Sequence, residues 1–145
     1  MPRAVLDTTV LFAAAYRHDG SHDAALPILR GIDDGSLPEG VVIDYVLAET
    51  LNGLTTHAGH DAAVDFLDRL ETNGRIHLES LRSDTFTTGK SLFRRYEPFS
   101  LVDACLVAYM QTAGIDYCYA FDDDFDAADC SRLATATNPY RPEDD

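Results

Sequence analysis

The sequence is poor in cationic side chains. Its 145 residues include 11 lysines and arginines against 25 acidic residues, a formal net charge of −14. Lys90 is the single lysine, and tryptophan is absent. This shortage excludes a binding protein whose uniformly basic surface neutralises nucleic-acid phosphates. It does not exclude a nucleic-acid enzyme, because bound metal ions can supply positive charge at the reacting phosphate.

The acidic residues are mostly aspartates. A densely carboxylated, lysine-poor surface suits a very salty cytosol, where mobile ions screen the repulsion between like charges. We therefore expect a halophilic protein in which most aspartates are solvated surface residues. Circular dichroism with and without molar KCl tests this expectation, and full stability at low salt would contradict it.

The sequence also lacks the motifs of several other protein classes. Cys105, Cys118 and Cys130 form no CxxC pair, and an odd number of cysteines in such a chain is typical of reduced intracellular thiols. The histidines have no metal-ligand spacing, and there is no Walker loop, GxGxxG motif or Ser-His-Asp arrangement. No apolar run resembles a signal peptide or approaches the length of a membrane span. These absences predict a cytoplasmic protein without a membrane partner.

Hydrophobic residues make up 46% of the chain, enough for the core of one domain. Short apolar runs predict strands at 4–6, 41–43, 75–78, 117–121 and 132–135. Apolar residues at helical spacing predict helices at 8–16, 21–34, 45–56, 61–70, 84–96 and 100–113. Pro27 is expected to kink the second helix or to mark its start. Residues 1–137 are predicted to form the domain, and residues 138–145 a short, acidic, proline-containing tail that frays.

The alternation of strands and helices predicts βαβ units and a mainly parallel sheet. Sites in such sheets form beyond the carboxyl ends of strands, which makes Asp7 and Asp122 candidates. Asp7 follows the first strand, where an aspartate is also a common turn or N-cap residue. Asp122 follows the aromatic strand. The acidic run that it opens is not an EF-hand loop, because Ala127 and Leu133 stand where that loop needs glycine and glutamate.

Two further acids lie on predicted helices. Glu49 lies about a turn and a half into the helix after the second strand, where it either borders the buried face or is simply exposed. Asp103 lies three residues after Ser100, the spacing of a capping box in which a serine hydroxyl and an acid satisfy backbone N–H groups. The positive end of the helix dipole also favours an anion there. Structural capping is therefore an alternative to a functional role for Asp103.

The predicted topology brings these four acids into one crevice. Carboxylates held close together repel one another, so such a cluster is stable only when it is protonated or binds cations. Oxygen ligands of this kind suit Mg²⁺ or Mn²⁺. Such ions can polarise a phosphodiester, deprotonate a water and stabilise the leaving oxygen. The residues therefore favour a metal-dependent hydrolase.

Five segments of the chain match one known family in their order and spacing. They are Ala4–Leu11, Glu49 on its helix, Leu92–Tyr96, Ser100–Ala104 and Phe121–Phe125. Together they resemble the PIN-domain family, in particular its VapC-like toxins, over nearly the whole length. The resemblance implies a three-layer α/β/α fold with a five-stranded, mainly parallel sheet. It also implies a metal-dependent endoribonuclease, the toxin of a toxin–antitoxin pair, that forms a homodimer and is inhibited by a small VapB-like antitoxin.

The resemblance also implies site residues. The family's catalytic, metal-binding acids match Asp7, Glu49, Asp103 and Asp122, which would bind Mg²⁺ or Mn²⁺. Asp124 is expected as an outer or additional metal ligand.

Other residues are expected to support the site. Thr9 is expected to hydrogen-bond a ligand carboxylate, and Ser100 to orient the turn that carries Asp103. Because the net charge should repel RNA, binding is expected to rely on metal, screening salt and local cations. The candidate RNA-binding cations are Arg94, Arg95, Lys90 and Arg17.

Two alternative functions stay open at this point. The first is a phosphatase-like Mg²⁺ hydrolase with Asp7 as its nucleophile, although Thr9 stands where such enzymes usually carry a second aspartate. The second is a non-catalytic binding module that keeps the acids for structure and salt tolerance. A thermal melt distinguishes the second alternative, because a metal that binds only the native state must raise its stability.

Overall fold

A computed structural model of the protein describes residues 2–140, so residues 141–145 of the predicted tail lie outside the described residues. Within this range one five-stranded sheet is formed by β1 (Arg3–Leu6), β2 (Glu39–Ile43), β3 (Ile76–Glu79), β4 (Tyr117–Tyr119) and β5 (Ser131–Leu133). The strand order is β3-β2-β1-β4-β5. Every pair of neighbouring strands is parallel, so the predicted parallel sheet is confirmed.

Six α-helices connect the strands within the described residues. They are α1 (Thr8–Ala15), α2 (His22–Asp34), α3 (Asp44–Ala58), α4 (His60–Thr72), α5 (Ser83–Arg95) and α6 (Leu101–Ala113). A short 3₁₀ helix, Asp123–Ala127, follows β4. Pro27 lies inside α2 and does not mark its start. Gly35, with a left-handed φ of 87°, ends α2, as glycine commonly does at a helix C-terminus.

The sheet is covered on both faces. Successive side chains of a strand point to opposite faces. Ala4, Val5 and Leu6 of the central strand β1 are nevertheless all 0% exposed. Burial on both faces is the pattern expected for a parallel sheet between two layers of helices. The expected three-layer α/β/α fold is therefore confirmed.

Helices α5 and α6 pack closely at Gly89. A Cβ atom at that position would lie 2.8 Å from Cys105 Sγ, closer than real Cβ atoms approach, and 3.1 Å from Cys105 Cα, a tight contact. The absence of a side chain at Gly89 therefore lets the backbone of α5 approach α6. This contact helps to place the first turn of α6, which carries Asp103, against the rest of the domain.

Strand β4 is shorter than predicted. It ends at Tyr119, whereas the aromatic run continues to Phe121. The amide of Phe121 leaves the strand ladder and donates to the hydroxyl of Thr9 at 3.1 Å. A side-chain acceptor therefore replaces a neighbouring strand at this residue and turns the chain into the segment that carries Asp122.

The start of the predicted tail is not frayed. The side-chain amide of Asn138 donates to the carbonyl of Ser36 at 3.0 Å. The ring of Tyr140 packs edge-on against that of Tyr117, with centroids 5.0 Å apart. The expectation of fraying is therefore wrong for residues 138–140, because an aromatic and an amide side chain attach them to the domain.

Candidate functional site

A cleft of about 630 Å³ lies beyond the carboxyl ends of β1 and β4. These two strands are neighbours, but the chain runs from β1 outward to β2 and β3 before it returns to β4. Such a reversal of strand order is where open α/β sheets place their ligands. All five predicted acids line this cleft: Asp7, Glu49, Asp103, Asp122 and Asp124.

Asp7 is the most buried of these acids, with 2% of its surface exposed. It caps α1, and its Oδ2 accepts hydrogen bonds from the Thr9 amide at 3.2 Å and the Thr9 hydroxyl at 2.7 Å. Burial raises the pKa of Asp7 to about 6, and the charge of Asp103 adds to the increase, although the hydrogen bonds from Thr9 oppose it. A buried carboxylate in this position favours a proton or a cation.

Thr9 connects two of the segments that carry acids. Its hydroxyl donates to Asp7 Oδ2, so the hydrogen bond expected between Thr9 and a site carboxylate is present. The same oxygen accepts the Phe121 amide, one residue before Asp122. A single hydroxyl therefore couples the end of β1 to the segment after β4.

Asp103 has the structural role that its spacing predicts, and it also lies in the cleft. Its amide donates to Ser100 Oγ at 3.1 Å, and its Oδ2 accepts the Ser100 amide at 3.2 Å, which completes a capping box at the start of α6. The pKa of Asp103 is raised by burial, and the charges of Asp122 and Glu49 add to the shift. Capping and a place in the cleft are thus not exclusive alternatives, and Ser100 orients Asp103 as expected.

Asp103, Asp122 and Asp124 form the tightest group of acids. One carboxylate oxygen from each lies within 4.8 Å of the others. Asp122 Oδ1 accepts the Asp124 amide at 2.9 Å, and the fully buried Phe125 anchors the 3₁₀ helix. The pKa of Asp124 is raised by partial desolvation and by the charge of Asp122. The fold therefore holds like charges together at this point.

Glu49 lies on α3 and approaches the cleft from another wall. Its side chain is exposed, unlike that of Asp7. Its charge contributes to the raised pKa of Asp103. It is the acid of the cleft with the most access to solvent and therefore to a large ligand.

The predicted RNA-binding cations do not line the cleft. None of Arg17, Lys90, Arg94 and Arg95 is among the described residues of its wall, and all four are exposed. Lys90 Nζ lies 5.1 Å from the centre of the Phe86 ring, and the Arg95 guanidinium lies 5.3 Å from the centre of the Tyr96 ring. The described wall of the cleft therefore offers acidic and neutral groups but no cation.

The residues of the cleft fit a hard divalent cation. The donor set consists of carboxylate oxygens, which Mg²⁺ and Mn²⁺ prefer, and the raised pKa values of three of the acids show that their negative charges are held at a cost. In addition, Thr8 Oγ1 is buried in the wall without a hydrogen-bond partner among the described residues. A bound ion with its water ligands would neutralise the acids and could satisfy this hydroxyl.

Several residues of the wall were not predicted from the sequence. Phe12, Asp19, Ser21, Pro98 and Phe121 line the cleft in addition to the expected residues. Asp19 and Ser21 belong to the loop between α1 and α2, where Asp19 Oδ1 accepts the Ser21 amide at 2.8 Å. Such a turn is visible as an Asp-x-Ser spacing, but only the tertiary fold places it over the cleft.

The fold and the acidic cleft define an α/β protein with a candidate divalent-metal site at the reversal of a parallel sheet. The PIN domain model matches residues 4–129, and the chain belongs to this family. No curated protein matches the chain by sequence.

Several solved structures are similar to this chain in fold. VapC20 from Mycobacterium tuberculosis, a sarcin–ricin loop cleaving toxin, superposes with a TM-score of 0.75 and 28% identity over 86% of this chain and 93% of that chain. VapBC2 from Rickettsia felis, bound to a DNA fragment from its promoter, gives a TM-score of 0.68 and 13% identity over 90% of this chain and 97% of that chain. A toxin–antitoxin complex from Klebsiella pneumoniae gives a TM-score of 0.62 and 16% identity over 93% of this chain and 98% of that chain. The resemblance to VapC-like toxins is therefore confirmed.

None of the helices within residues 2–140 is long and apolar enough to cross a membrane.

Proposed function

We propose that the protein is a metal-dependent endoribonuclease that hydrolyses RNA phosphodiesters and is the toxin of a VapBC-type pair. The observation that carries this proposal is the convergence of Asp7, Glu49, Asp103, Asp122 and Asp124 on one cleft. Membership of the PIN-domain family and the similarity to VapC20 support it.

The chain's own residues would hold a Mg²⁺ or Mn²⁺ ion from several sides. Asp103, Asp122 and Asp124 have ligand oxygens close enough to share one ion. Asp7 contributes from the end of β1, with its orientation set by Thr9, and Glu49 completes the set from α3. A bound ion of this kind polarises a phosphodiester, favours deprotonation of the attacking water and stabilises the leaving oxygen.

The lack of cations in the described wall has a consequence for RNA binding. Several carboxylates repel a phosphate unless their charge is neutralised, so the substrate and the divalent ion are expected to bind together. Salt is expected to help by screening the net charge of −14. We therefore place the activity in a salt-rich cytoplasm and expect it to need both a divalent ion and high KCl.

The test is cleavage of RNA in high KCl with Mn²⁺ or Mg²⁺. Asp7→Asn and Asp103→Asn are each expected to lower the rate by at least about a hundredfold, because stabilisation by the metal contributes several kcal/mol. Asp126→Asn is the matched control. Asp126 lies in the same acidic run, but it is exposed and pairs with Arg132 at 2.9 Å. Circular dichroism checks that each variant folds, and equal cleavage by wild type and both site variants would contradict the proposal.

The partners of the protein are part of the same proposal. A VapB-like antitoxin that covers the cleft, and a homodimer of this chain, are expected by analogy with the family. The matches to VapBC2 and to the Klebsiella pneumoniae toxin–antitoxin complex support an antitoxin partner. Light scattering of the purified chain, alone and with the product of a neighbouring small gene, measures both.

The phosphatase-like alternative gains no support from the geometry of the cleft. An attacking carboxylate needs access to phosphorus, whereas Asp7 is 2% exposed and its Oδ2 already accepts two hydrogen bonds. The alternative of a non-catalytic module predicts no cleavage under any metal condition, so the RNA assay decides that case too.

A further inference from the structure

Four ring side chains form a cluster beside the cleft. The aromatic cluster consists of Phe12, Tyr16, His18 and His57. Tyr16 lies at its centre, with ring centroids 5.4 Å from Phe12, 5.5 Å from His18 and 5.8 Å from His57. Phe12 and His57 also contact each other edge-on at 5.6 Å. These distances are those of interacting aromatic rings.

The aromatic cluster continues the wall of the cleft. Phe12 itself lines the cleft together with the site acids. Thr8 and Phe12 on α1 and Tyr16 at its C-cap follow one another at intervals of four residues. Glu49, Gly53 and His57 do the same on α3. Residues at this spacing share one helix face. Two facing rows of residues, one along α1 and one along α3, therefore run from the acids of the cleft to the aromatic cluster.

Gly53 allows this close approach of the two helices. A Cβ atom at Gly53 would lie 3.3 Å from the ring of Phe12, a tight contact. The rings at the outer end of the rows are open to solvent, because Phe12 and Tyr16 are half-buried and His18 and His57 are exposed. The aromatic cluster is thus not part of the hydrophobic core.

The charge of the cleft indicates what such a surface would bind. A protein that binds single-stranded nucleic acid uses two main contacts, cations on the phosphates and aromatic rings on the bases. Cations are absent from the described cleft wall, and in high salt phosphate contacts are weak. Stacking on a base does not depend on charge and tolerates any sequence.

We propose that the aromatic cluster stacks on one or two bases of single-stranded RNA next to the phosphate that is cleaved, an inference that rests on the proposed function. Phe12 and Tyr16 form the side of the surface nearer the acids, and His57 and His18 form its outer edge. Arg17, exposed between Tyr16 and His18 in the sequence, supplies a cation for the adjacent backbone.

The experiment uses an RNA oligonucleotide that contains 2-aminopurine, whose fluorescence is quenched when the base stacks. The Asp103→Asn protein is used in Mg²⁺ and high KCl so that the RNA stays intact. We expect quenching on binding, and we expect the same RNA with an abasic ribose at that position to bind on the order of tenfold more weakly. Tyr16→Leu and His57→Leu, each added to Asp103→Asn, should lose the quenching and weaken binding by a similar factor.

Phe93→Leu is the matched control variant. Phe93 is 47% exposed on α5 and does not line the cleft, so its replacement removes an exposed ring without touching the aromatic cluster. Tyr16→Phe retains the ring and should retain the quenching. If a leucine variant does not fold, the comparison of base-containing with abasic RNA on the Asp103→Asn protein decides the question by itself.

The outcomes separate this inference from the proposed function. Base stacking is wrong if the abasic RNA binds as tightly as the base-containing RNA and the leucine variants bind RNA as tightly as the Asp103→Asn protein. The nuclease proposal then still stands if wild type cleaves RNA. If wild type neither cleaves nor binds RNA with divalent ions, both are wrong. If quenching and affinity fall together in Tyr16→Leu and His57→Leu but not in Phe93→Leu, base stacking is supported, and cleavage by wild type supports the nuclease proposal as well.

Discussion

Two acids of the cleft, Asp7 and Asp103, and two acids at the opposite end of the sheet, Glu39 and Asp34, have pKa values shifted in opposite directions. At the amino end of the strands, the pKa of Glu39 is lowered, mainly by its hydrogen bond with His77 at 3.1 Å. The pKa of Asp34 nearby is lowered by hydrogen bonds with Ser36. In the cleft, burial and like charges raise the pKa of Asp7 and of Asp103.

This difference distinguishes the candidate functional acids Asp7 and Asp103 from the structural acids Glu39 and Asp34. An acid that accepts hydrogen bonds from a cation or a turn stabilises the fold as a carboxylate. An acid that is buried among other acids destabilises the fold as a carboxylate, so its retention indicates a role that needs the charge. In a chain with 25 acidic residues, a raised or lowered pKa adds information that the residue type alone does not give.

The largest effect on stability is expected from Asp7→Asn. The pKa of Asp7 is about 6 in the folded protein, against about 4 for an unfolded aspartate. Above pH 6 the folded protein must therefore hold a charge at a cost of about 3 kcal/mol, which asparagine avoids. Asparagine also remains a good N-cap residue for α1. Without divalent ions, the variant should be more stable than wild type at pH 8.

The pH dependence distinguishes this effect from a general gain in packing. As the pH falls through 6 towards 4, Asp7 takes up a proton in the folded state, so the advantage of asparagine should shrink towards zero. Urea denaturation with EDTA at pH 8, 6 and 4 measures the difference in free energy of unfolding between Asp7→Asn and wild type. Asp126→Asn, which removes an acid whose pKa is lowered by Arg132, should give no such gain. Equal stability of wild type and Asp7→Asn at pH 8 would contradict the view that the charge of Asp7 destabilises the fold.

A slightly smaller effect is expected from metal binding. Mn²⁺ at a hundred times its dissociation constant should stabilise wild type by about 2.7 kcal/mol, because it binds only the folded state. Asp122→Asn should remove most of this stabilisation, since Asp122 belongs to the tight group with Asp103 and Asp124. Thermal melts with and without Mn²⁺ measure it, with Asp126→Asn again as the control. If Mn²⁺ raises the melting temperature of Asp122→Asn as much as that of wild type, the ion binds at another place.

Thr9→Val is expected to cost about 1–2 kcal/mol, since it removes the acceptor of the Phe121 amide and leaves that N–H group without its partner. Valine keeps the shape of threonine, and Thr9→Ser keeps the hydroxyl, so serine should restore the lost stability. Urea denaturation compares the two variants. If valine and serine behave alike, the hydroxyl does not connect the two segments in the way we describe.

The smallest effect is expected at the amino end of the sheet. Glu39→Gln weakens the hydrogen bond with His77 and should destabilise the protein by at most about 1 kcal/mol, because partly exposed polar pairs contribute little. This loss of stability is opposite in sign to the gain expected for Asp7→Asn. Denaturation in low KCl and in molar KCl measures it, and the loss should shrink in molar KCl. A gain in stability on this substitution would remove the contrast between the two ends.

The sequence was sufficient to predict the elements that place the acids. Asp7 and Asp122 follow strands that are recognisable as short apolar runs, and the spacing from Ser100 to Asp103 predicts the capping box that the structure contains. The parallel order of the strands follows from the helices between them. These features depend on residues close together in the chain, and local patterns predict such features well.

Features that depend on distant parts of the chain were predicted poorly. Strand β4 was expected to extend to Phe121 but ends at Tyr119. Nothing in the sequence of this strand indicates that the hydroxyl of Thr9, 112 residues away, accepts the Phe121 amide. The attachment of Asn138 to Ser36 and the place of Phe12 in the cleft are likewise tertiary contacts. Arg94 and Arg95 were expected to bind RNA from their charge alone; they do not line the described wall of the cleft, and their contact with RNA stays a prediction.

Three of the acids in the cleft share a feature that bears on how selectively an ion is bound. Asp7, Asp103 and Asp122 each hold one oxygen against a backbone amide two or three residues away. Their torsion angles are therefore restricted before anything binds, so little rotational entropy is lost on complex formation. Such preorganised donors cannot readily spread apart. We therefore expect the proposed site to prefer an ion with a small radius and strict octahedral preference over a larger one such as Ca²⁺, which needs more oxygens and adaptable ligands.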